Sequence, residues 1–179
     1  RPDVKAICGR GLLDGHPLAI VLAAAVARKE RLRALSSLIE RLRTRMVEVL
    51  RDRKTDKEEV SLEASLGVSY DALSDTAKEM LARLAVFEEP FRDEAVEAVA
   101  GDVGAWREAC TELMDHHLLD KGEAATTKGE TLDVFSLHPV VKAYGLDKVS
   151  DPKALHLKAG RFLAGTEYVQ ENVEAVRHL

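Results

Sequence analysis

The apolar pattern between Ser61 and Gly145 changes its period twice, and this constrains the fold more than any other feature of the sequence. In the first part, apolar residues recur every three or four positions, as on one face of an α-helix. Two short segments, 118–120 and 131–137, then suit strands rather than a helix. Pro139 follows where a helix readily begins, because the first turn does not use its missing N–H group. The pattern therefore predicts three helices, a two-stranded wing and a closing helix.

This order of elements is that of a winged helix, and capping residues predict where its helices begin. Ser74 is suited to cap the first helix, which we expect to run through Phe87. Asp93 is suited to cap a short second helix. The third helix is predicted over 103–118, and residues 121–130, rich in Gly, Thr and Lys, are predicted to form the wing loop. The apolar stripe of the third helix comprises Val103, Trp106, Cys110, Leu113, Met114 and His117.

The segments before the winged helix predict a small helical module. Residues 3–13 have helical spacing, and Pro17 then opens a second helix that is apolar on almost every side, so we expect it to be buried. Residues 32–50 are also helical in period, with arginines interleaved that face either solvent or an anion. Residues 53–59 are nearly all charged and predict an exposed joint.

The end of the chain predicts two more helices. Asp151-Pro152 is an N-cap followed by Pro at the first helical position. A second helix is expected over 167–179, so the pair is interpreted as the first unit of a helical repeat. Aromatic residues make up only 4% of the chain, which favours closely packed helices. The predicted fold class is mainly α, with a helical module (1–56), a winged-helix domain (57–150) and the start of an α-superhelical, TPR-like repeat (151–179).

The charge distribution argues against nucleic-acid binding by the winged helix. Residues 1–54 hold 13 Lys+Arg against 6 Asp+Glu, a net charge of +7, whereas the remainder has a net charge of −12. Residues 60–150 alone hold 8 Lys+Arg against 18 Asp+Glu, a net charge of −10. A DNA-binding surface needs cations that face phosphate. A winged-helix transcriptional regulator is therefore the alternative hypothesis, and a helical protein-interaction scaffold is the other.

Few residues suggest chemistry. Cys110, His116 and His117 match no familiar zinc spacing, and no nucleophile–base pair or phosphate-binding glycine loop is evident, so neither a catalytic nor a metal site is predicted. His138 differs, because it lies directly before Pro139 at a predicted helix N-terminus. It is interpreted either as a capping residue or as a hydrogen-bond donor to a phosphate. Two distant cysteines and no convincing membrane or targeting segment favour the cytoplasm. The abrupt start predicts a piece of a longer protein.

Three segments resemble motifs of the NB-ARC class of signalling ATPases, also called STAND NTPases. Gly15-His16-Pro17-Leu18-Ala19 resembles the family's Gly-Leu-Pro-Leu-Ala motif. Ser69-Tyr70-Asp71-Ala72-Leu73, followed by Leu84-Ala85-Val86-Phe87, resembles the opening of its winged helix. Leu137-His138-Pro139 lies where the family has its Met-His-Asp motif. The segments occur in the family's order, and the resemblance covers residues 1–150.

The resemblance implies a regulatory switch that helps to hold ADP in a closed state. It implies that Pro17 contacts the adenine, that Leu18 lies beside the base and that His138 reaches the β-phosphate. Exchange of ADP for ATP, with Mg²⁺ on the P-loop core, would then release the winged helix. The implied partners are the protein's own P-loop domain, its sensor repeats and further copies on activation. His16 and Pro139 depart from the family's Leu and Asp, and the given sequence contains no P-loop, so we do not expect this segment to hydrolyse ATP.

Overall fold

The computed structural model describes residues 5, 7–8, 12–31, 35–52, 57–125 and 131–165 of the chain. These residues form eight helices and one two-stranded antiparallel sheet, which confirms the prediction of a mainly α chain with a two-stranded wing. The helices are α1 (Pro17–Lys29), α2 (Ser36–Asp52), α3 (Lys57–Asp71), α4 (Asp75–Leu84), α5 (Asp93–Ala100), α6 (Trp106–Asp115), α7 (Pro139–Asp147) and α8 (Pro152–Gly165). The strands are β1 (Asp120–Ala125) and β2 (Thr131–Ser136).

The chain divides into two compact units. Unit 1 comprises Arg1–Leu73 and Asp115–His117, and unit 2 comprises Ser74–Met114 and Leu118–Leu179. The division therefore falls at the end of α3, whereas the sequence analysis places the start of the winged-helix domain at residue 57. The helix α8, predicted as the start of a separate repeat, belongs to unit 2 and packs against α5.

Unit 1 is built around α3, which packs against both α1 and α2. The side chains of Ser61, Ser65 and Ser69 are buried on α3, and such small residues let neighbouring helices approach closely. The Ser65 hydroxyl donates to the Ser61 carbonyl at 2.8 Å, and the Ser61 hydroxyl donates to Asp14 at 3.2 Å. These bonds offset part of the cost of burying the two hydroxyls.

The helix α1 begins at Pro17, as predicted, but one side of it faces solvent. Its buried residues are Ala19, Leu22, Ala23, Ala25 and Val26. Val21 is 41% exposed. The expectation that this helix is buried almost all round is therefore wrong, because α1 lies at the surface of unit 1 and needs only one apolar side.

Two arginines of α2, Arg41 and Arg45, face carboxylates of the same unit, whereas Arg43 is exposed. The Arg41 guanidinium donates two hydrogen bonds to Glu30, at 2.8 and 2.7 Å. The Arg45 guanidinium donates to Glu48 at 3.0 Å and also to Asp71. Of the two interpretations of these arginines, the geometry favours a solvated face with internal ion pairs.

Unit 2 has the order predicted for a winged helix: α4, α5 and α6, then the wing, then α7. The strands pair from Asp120↔Ser136 to Ala125↔Thr131. Phe91 forms an isolated antiparallel bridge with Phe135 of β2, with backbone N–H to O distances of 2.8 and 2.7 Å. The rings of Phe87 and Phe91 stack at 4.6 Å between centroids, and Phe91 lies 6.3 Å from Phe135. This phenylalanine cluster joins the wing to the segment that follows α4.

Two of the predicted caps are confirmed and one is wrong. The Ser74 hydroxyl accepts the Ala77 N–H at 3.2 Å, and the Asp151 carboxylate accepts the Ala154 N–H at 3.0 Å. Asp93 is the first residue of α5 instead of its cap. The N-cap position of α5 is occupied by Arg92, whose side chain makes no capping bond.

Several predicted boundaries in the helices also differ. The first winged-helix element, α4, ends at Leu84 and not at Phe87. The third, α6, covers residues 106–115 and not 103–118. His117 lies beyond its end with a left-handed φ of 55° and is exposed, whereas His116 is buried. The apolar stripe of α6 therefore does not include His117.

The wing and the charged joint also depart from prediction. The strand β1 covers 120–125, so residues 121–125 are part of a strand and not of the wing loop. Residues 57–59 open α3 instead of forming an exposed joint. Within the helix predicted over 3–13, the described residues Lys5, Ile7 and Cys8 are helical, whereas Leu12 and Leu13 lie in a turn. The helix predicted over 167–179 lies outside the described residues.

Candidate functional site

His138 is the N-cap of α7. Its backbone is extended, with φ −58° and ψ 138°, and Pro139 follows at the first helical position. Because proline has no N–H, the first free donor of the helix is that of Val140. The Nδ1 atom of His138 accepts this N–H at 3.3 Å. The side chain is exposed.

This cap fixes which nitrogen of the neutral imidazole carries the proton. A ring nitrogen that accepts a hydrogen bond is unprotonated, so the proton lies on Nε2. Among the described residues, Nε2 of His138 has no hydrogen-bond acceptor. His138 is therefore a capping residue that also presents an N–H donor. The two interpretations of His138 are compatible, because they use different ring atoms.

A second helix begins in the same way at the first motif. His16 is the N-cap of α1, and its Nδ1 accepts the Ala19 N–H at 3.4 Å. Pro17 occupies the first helical position and is exposed, and Leu18 is half-buried. The capping role of His16 was not predicted from the sequence, where His16 was interpreted only as a departure from a motif. The repeated His-Pro pair, each at a helix start, is the signal that predicts it.

The three predicted nucleotide-binding residues are distributed over the two units. Pro17 and Leu18 belong to unit 1, and His138 belongs to unit 2. Pro17 and His138 are exposed, and Leu18 is half-buried.

The charge next to His138 is balanced within unit 2. Lys142 lies one turn into α7, and its ammonium group donates to Glu88, the residue that begins the segment after Phe87. The Lys142 N–H donates to the His138 carbonyl at 2.9 Å, which closes the first turn. The positive features at this helix start are therefore the backbone N–H groups, the helix dipole and the Nε2–H of His138.

The cysteine and histidines near the end of α6 do not form a metal site. Cys110 is buried in unit 2, and desolvation, with a smaller contribution from Asp93, raises the pKa of its thiol from 9.0 to about 11. His116 and His117 belong to unit 1, the first buried and the second exposed. Across the described residues, no group of three or more His, Cys, Asp and Glu side chains is arranged to hold a metal ion.

The helix α6, which a DNA-binding winged helix would insert into a groove, offers little positive charge. The Arg107 guanidinium lies 4.1 Å from the centroid of the Trp106 ring. Glu112 accepts hydrogen bonds from the Ser74 N–H at 2.8 Å and the Ser74 hydroxyl at 2.6 Å. Glu108 is exposed next to Arg107. Carboxylates on this helix would repel a phosphate backbone.

No protein-family model, no curated protein and no solved structure matches the chain. The resemblance to the NB-ARC class therefore stays a prediction. None of the helices among the described residues is both long and apolar enough to span a bilayer.

Proposed function

We propose that this chain is the regulatory lid-and-switch segment of a cytoplasmic NB-ARC (STAND) signalling ATPase. In this proposal it helps to hold ADP in the closed state and passes nucleotide exchange on to sensor repeats and to oligomerisation. Catalysis and Mg²⁺ binding belong to a P-loop core that is not in the given sequence. The protein's own P-loop domain and its sensor repeats are the partners.

The observation that carries the proposal is the N-cap geometry of His138. Its Nδ1 is engaged by the helix N–H, so the imidazole is held in place and its Nε2–H is oriented by the cap. A neutral N–H donor at the positive end of a helix suits a phosphate oxygen. The proposed contacts are Nε2–H of His138 with the β-phosphate, Pro17 with the adenine and Leu18 beside the base.

The experiment measures ADP binding by calorimetry on the protein extended at its N-terminus through the P-loop region. Three variants are compared with the wild type. His138→Ala removes the cap and the imidazole, and His138→Asn keeps a capping side chain but removes the imidazole. His117→Asn is the matched control, because this histidine is also exposed and asparagine tolerates its left-handed backbone.

We expect both His138 variants to weaken ADP binding by about 1–3 kcal/mol, which is roughly 5- to 150-fold in Kd. His117→Asn is expected to bind like the wild type. If neither His138→Asn nor His138→Ala weakens ADP binding, the imidazole acts only as a cap, and the phosphate contact is refuted. An extension without a P-loop would refute the switch function as a whole, and salt-dependent binding to duplex DNA would support the regulator instead.

A further inference from the structure

The C-terminal end of α5 is capped by two cations that come from two other helices. The Val99 carbonyl accepts hydrogen bonds from Arg83 of α4 at 3.0 Å and from Lys158 of α8 at 3.4 Å. The Ala100 carbonyl accepts from Arg83 at 2.5 Å. The last carbonyls of a helix have no partners within it and carry a partial negative charge. We call Arg83 and Lys158 at this helix end the double cap.

Arg83 is held firmly in the double cap. It donates to Glu79 at 2.5 Å and to Asp102 at 3.3 Å, and its side chain is only 17% exposed. A backbone hydrogen bond and then Arg83 lower the pKa of Asp102, so this carboxylate stays charged next to the guanidinium. Arg83 therefore fixes the end of α5 to α4.

Lys158 is fitted into the turn that follows α5. Gly101 has a left-handed φ of 62°, and a Cβ atom there would lie 2.3 Å from the Lys158 ammonium nitrogen. Only glycine both adopts this backbone readily and leaves the ammonium its place. On α8, Lys158 is followed by the buried residues Ala159 and Gly160, and α8 packs against α5.

We propose that the double cap is a coupling device, through which the order of α8 controls the order of the α5 end inside unit 2. If α8 loosens, the α5 end loses the Lys158 donor, and Arg83 alone remains on the last carbonyls. If the α5 end loosens, the Lys158 ammonium loses its acceptor. A partner that binds α8 would thereby act on the winged-helix core. The inference goes beyond the proposed function and requires no nucleotide.

The test is residue-resolved amide hydrogen exchange on the 179-residue chain without nucleotide. The reporters of the α5 end are the Gly101 N–H, bonded to Glu97 at 3.3 Å, and the Val103 N–H, bonded to Ala100 at 3.1 Å. Lys158→Met removes the charge but keeps most of the aliphatic stem. Lys153→Met is the matched control, since Lys153 is an exposed lysine of the same helix. Asp151→Ala loosens α8 from its start by removing the N-cap.

We expect Lys158→Met to accelerate exchange about two- to fivefold both at the reporters and within α8, with no change in Lys153→Met. We also expect Asp151→Ala to accelerate exchange at the reporters, and this transmitted effect to vanish in the Lys158→Met background. The proposal is overturned if Lys158→Met changes only the reporters, which is the result for a local cap. It is also overturned if Asp151→Ala affects α8 alone. Neither result bears on ADP binding, so this test and the calorimetric one fail independently.

Discussion

Close packing at Gly145 in unit 2 leads to a prediction about stability. Gly145 is buried in α7, where α7 packs against α4. A Cβ atom there would lie 2.9 Å from the Ala85 Cβ and 3.2 Å from the Leu81 carbonyl oxygen. Neither neighbour can turn away, because one is a short side chain and the other is backbone. The helices must therefore separate to admit a methyl group.

Two opposing effects set the size of the change in Gly145→Ala. Replacing a helical glycine by alanine contributes about 1 kcal/mol through helix propensity. Overpacking of a filled interior costs about 1–3 kcal/mol. We expect a net destabilisation of about 0–2 kcal/mol for Gly145→Ala and of at least about 2 kcal/mol for Gly145→Val. Gly165→Ala is the control, because that helical glycine has no atom within 4 Å of a built Cβ, and it should gain stability.

The assay is urea unfolding followed by the fluorescence of the single tryptophan, Trp106, which lies in the same unit as Gly145. Its midpoints and slopes give the free energy of unfolding of that unit. The reasoning is refuted if Gly145→Ala is as much stabilised as Gly165→Ala. That result would mean that α4 and α7 are not in close contact at this position.

Three further predictions concern polar groups of the two units. Ser74→Ala should lower the free energy of unfolding by about 1 kcal/mol through loss of the cap, measured by urea unfolding; Glu112→Gln, which keeps the shape of the bonded carboxylate, should cost less, and equal losses would contradict this ranking. Because burial raises the pKa of Cys110 to about 11, its neutral thiol stabilises the fold below pH 9, and this contribution is lost as the pH rises toward 11. Cys110→Ala should flatten this alkaline decline of the thermal unfolding temperature, and an unchanged decline would contradict the burial of the thiol. A hydrogen bond from Lys29, at 2.5 Å, lowers the pKa of Asp115, so the contribution of Asp115 to stability is present at neutral pH and lost as the pH falls through that lowered pKa. Lys29→Met should move the Asp115 titration, followed by carboxyl NMR, to higher pH, and an unmoved titration would contradict the pairing.

The starts of α1, α4, α7 and α8 were predictable because their signals lie within a few residues of one another. Pro17, Ser74 and the Asp151-Pro152 pair each act on the first turn that follows them. The same local chemistry explains the two His-Pro caps; capping was one of the interpretations of His138, whereas the role of His16 was missed. Local capping residues therefore determine where the two helices next to the candidate site residues, α1 and α7, begin.

Helix ends and strand limits were less predictable, because the local sequence carries little signal for them. The end of α6 is formed by His117 in a left-handed conformation, with the Leu118 N–H bonded to the Leu113 carbonyl at 2.9 Å. Glycine usually occupies such a position, so a histidine there gave no signal. The extent of β1 depends on its pairing with β2 and is equally absent from its own sequence.

Local sequence patterns also did not predict to which unit a helix belongs. Three serines of α3 are buried although they are polar, so its apolar spacing alone did not reveal that α3 packs with α1 and α2. The proposed nucleotide contacts could not be placed from local patterns either, since Pro17 and His138 belong to separate units.

The proposed function rests on His138, which caps α7 through Nδ1 and is proposed to donate its Nε2–H to a phosphate. The most direct measurement is long-range ¹H–¹⁵N NMR of the histidine rings in the 179-residue chain at a pH where His138 is neutral. We predict the Nε2–H tautomer for His138, with an unprotonated Nδ1. We also predict that the ¹⁵N chemical shift of Nε2 changes when ADP is added to the extended protein. A protonated Nδ1 with a bare Nε2 would contradict the cap and remove the donor on which the proposed phosphate contact depends.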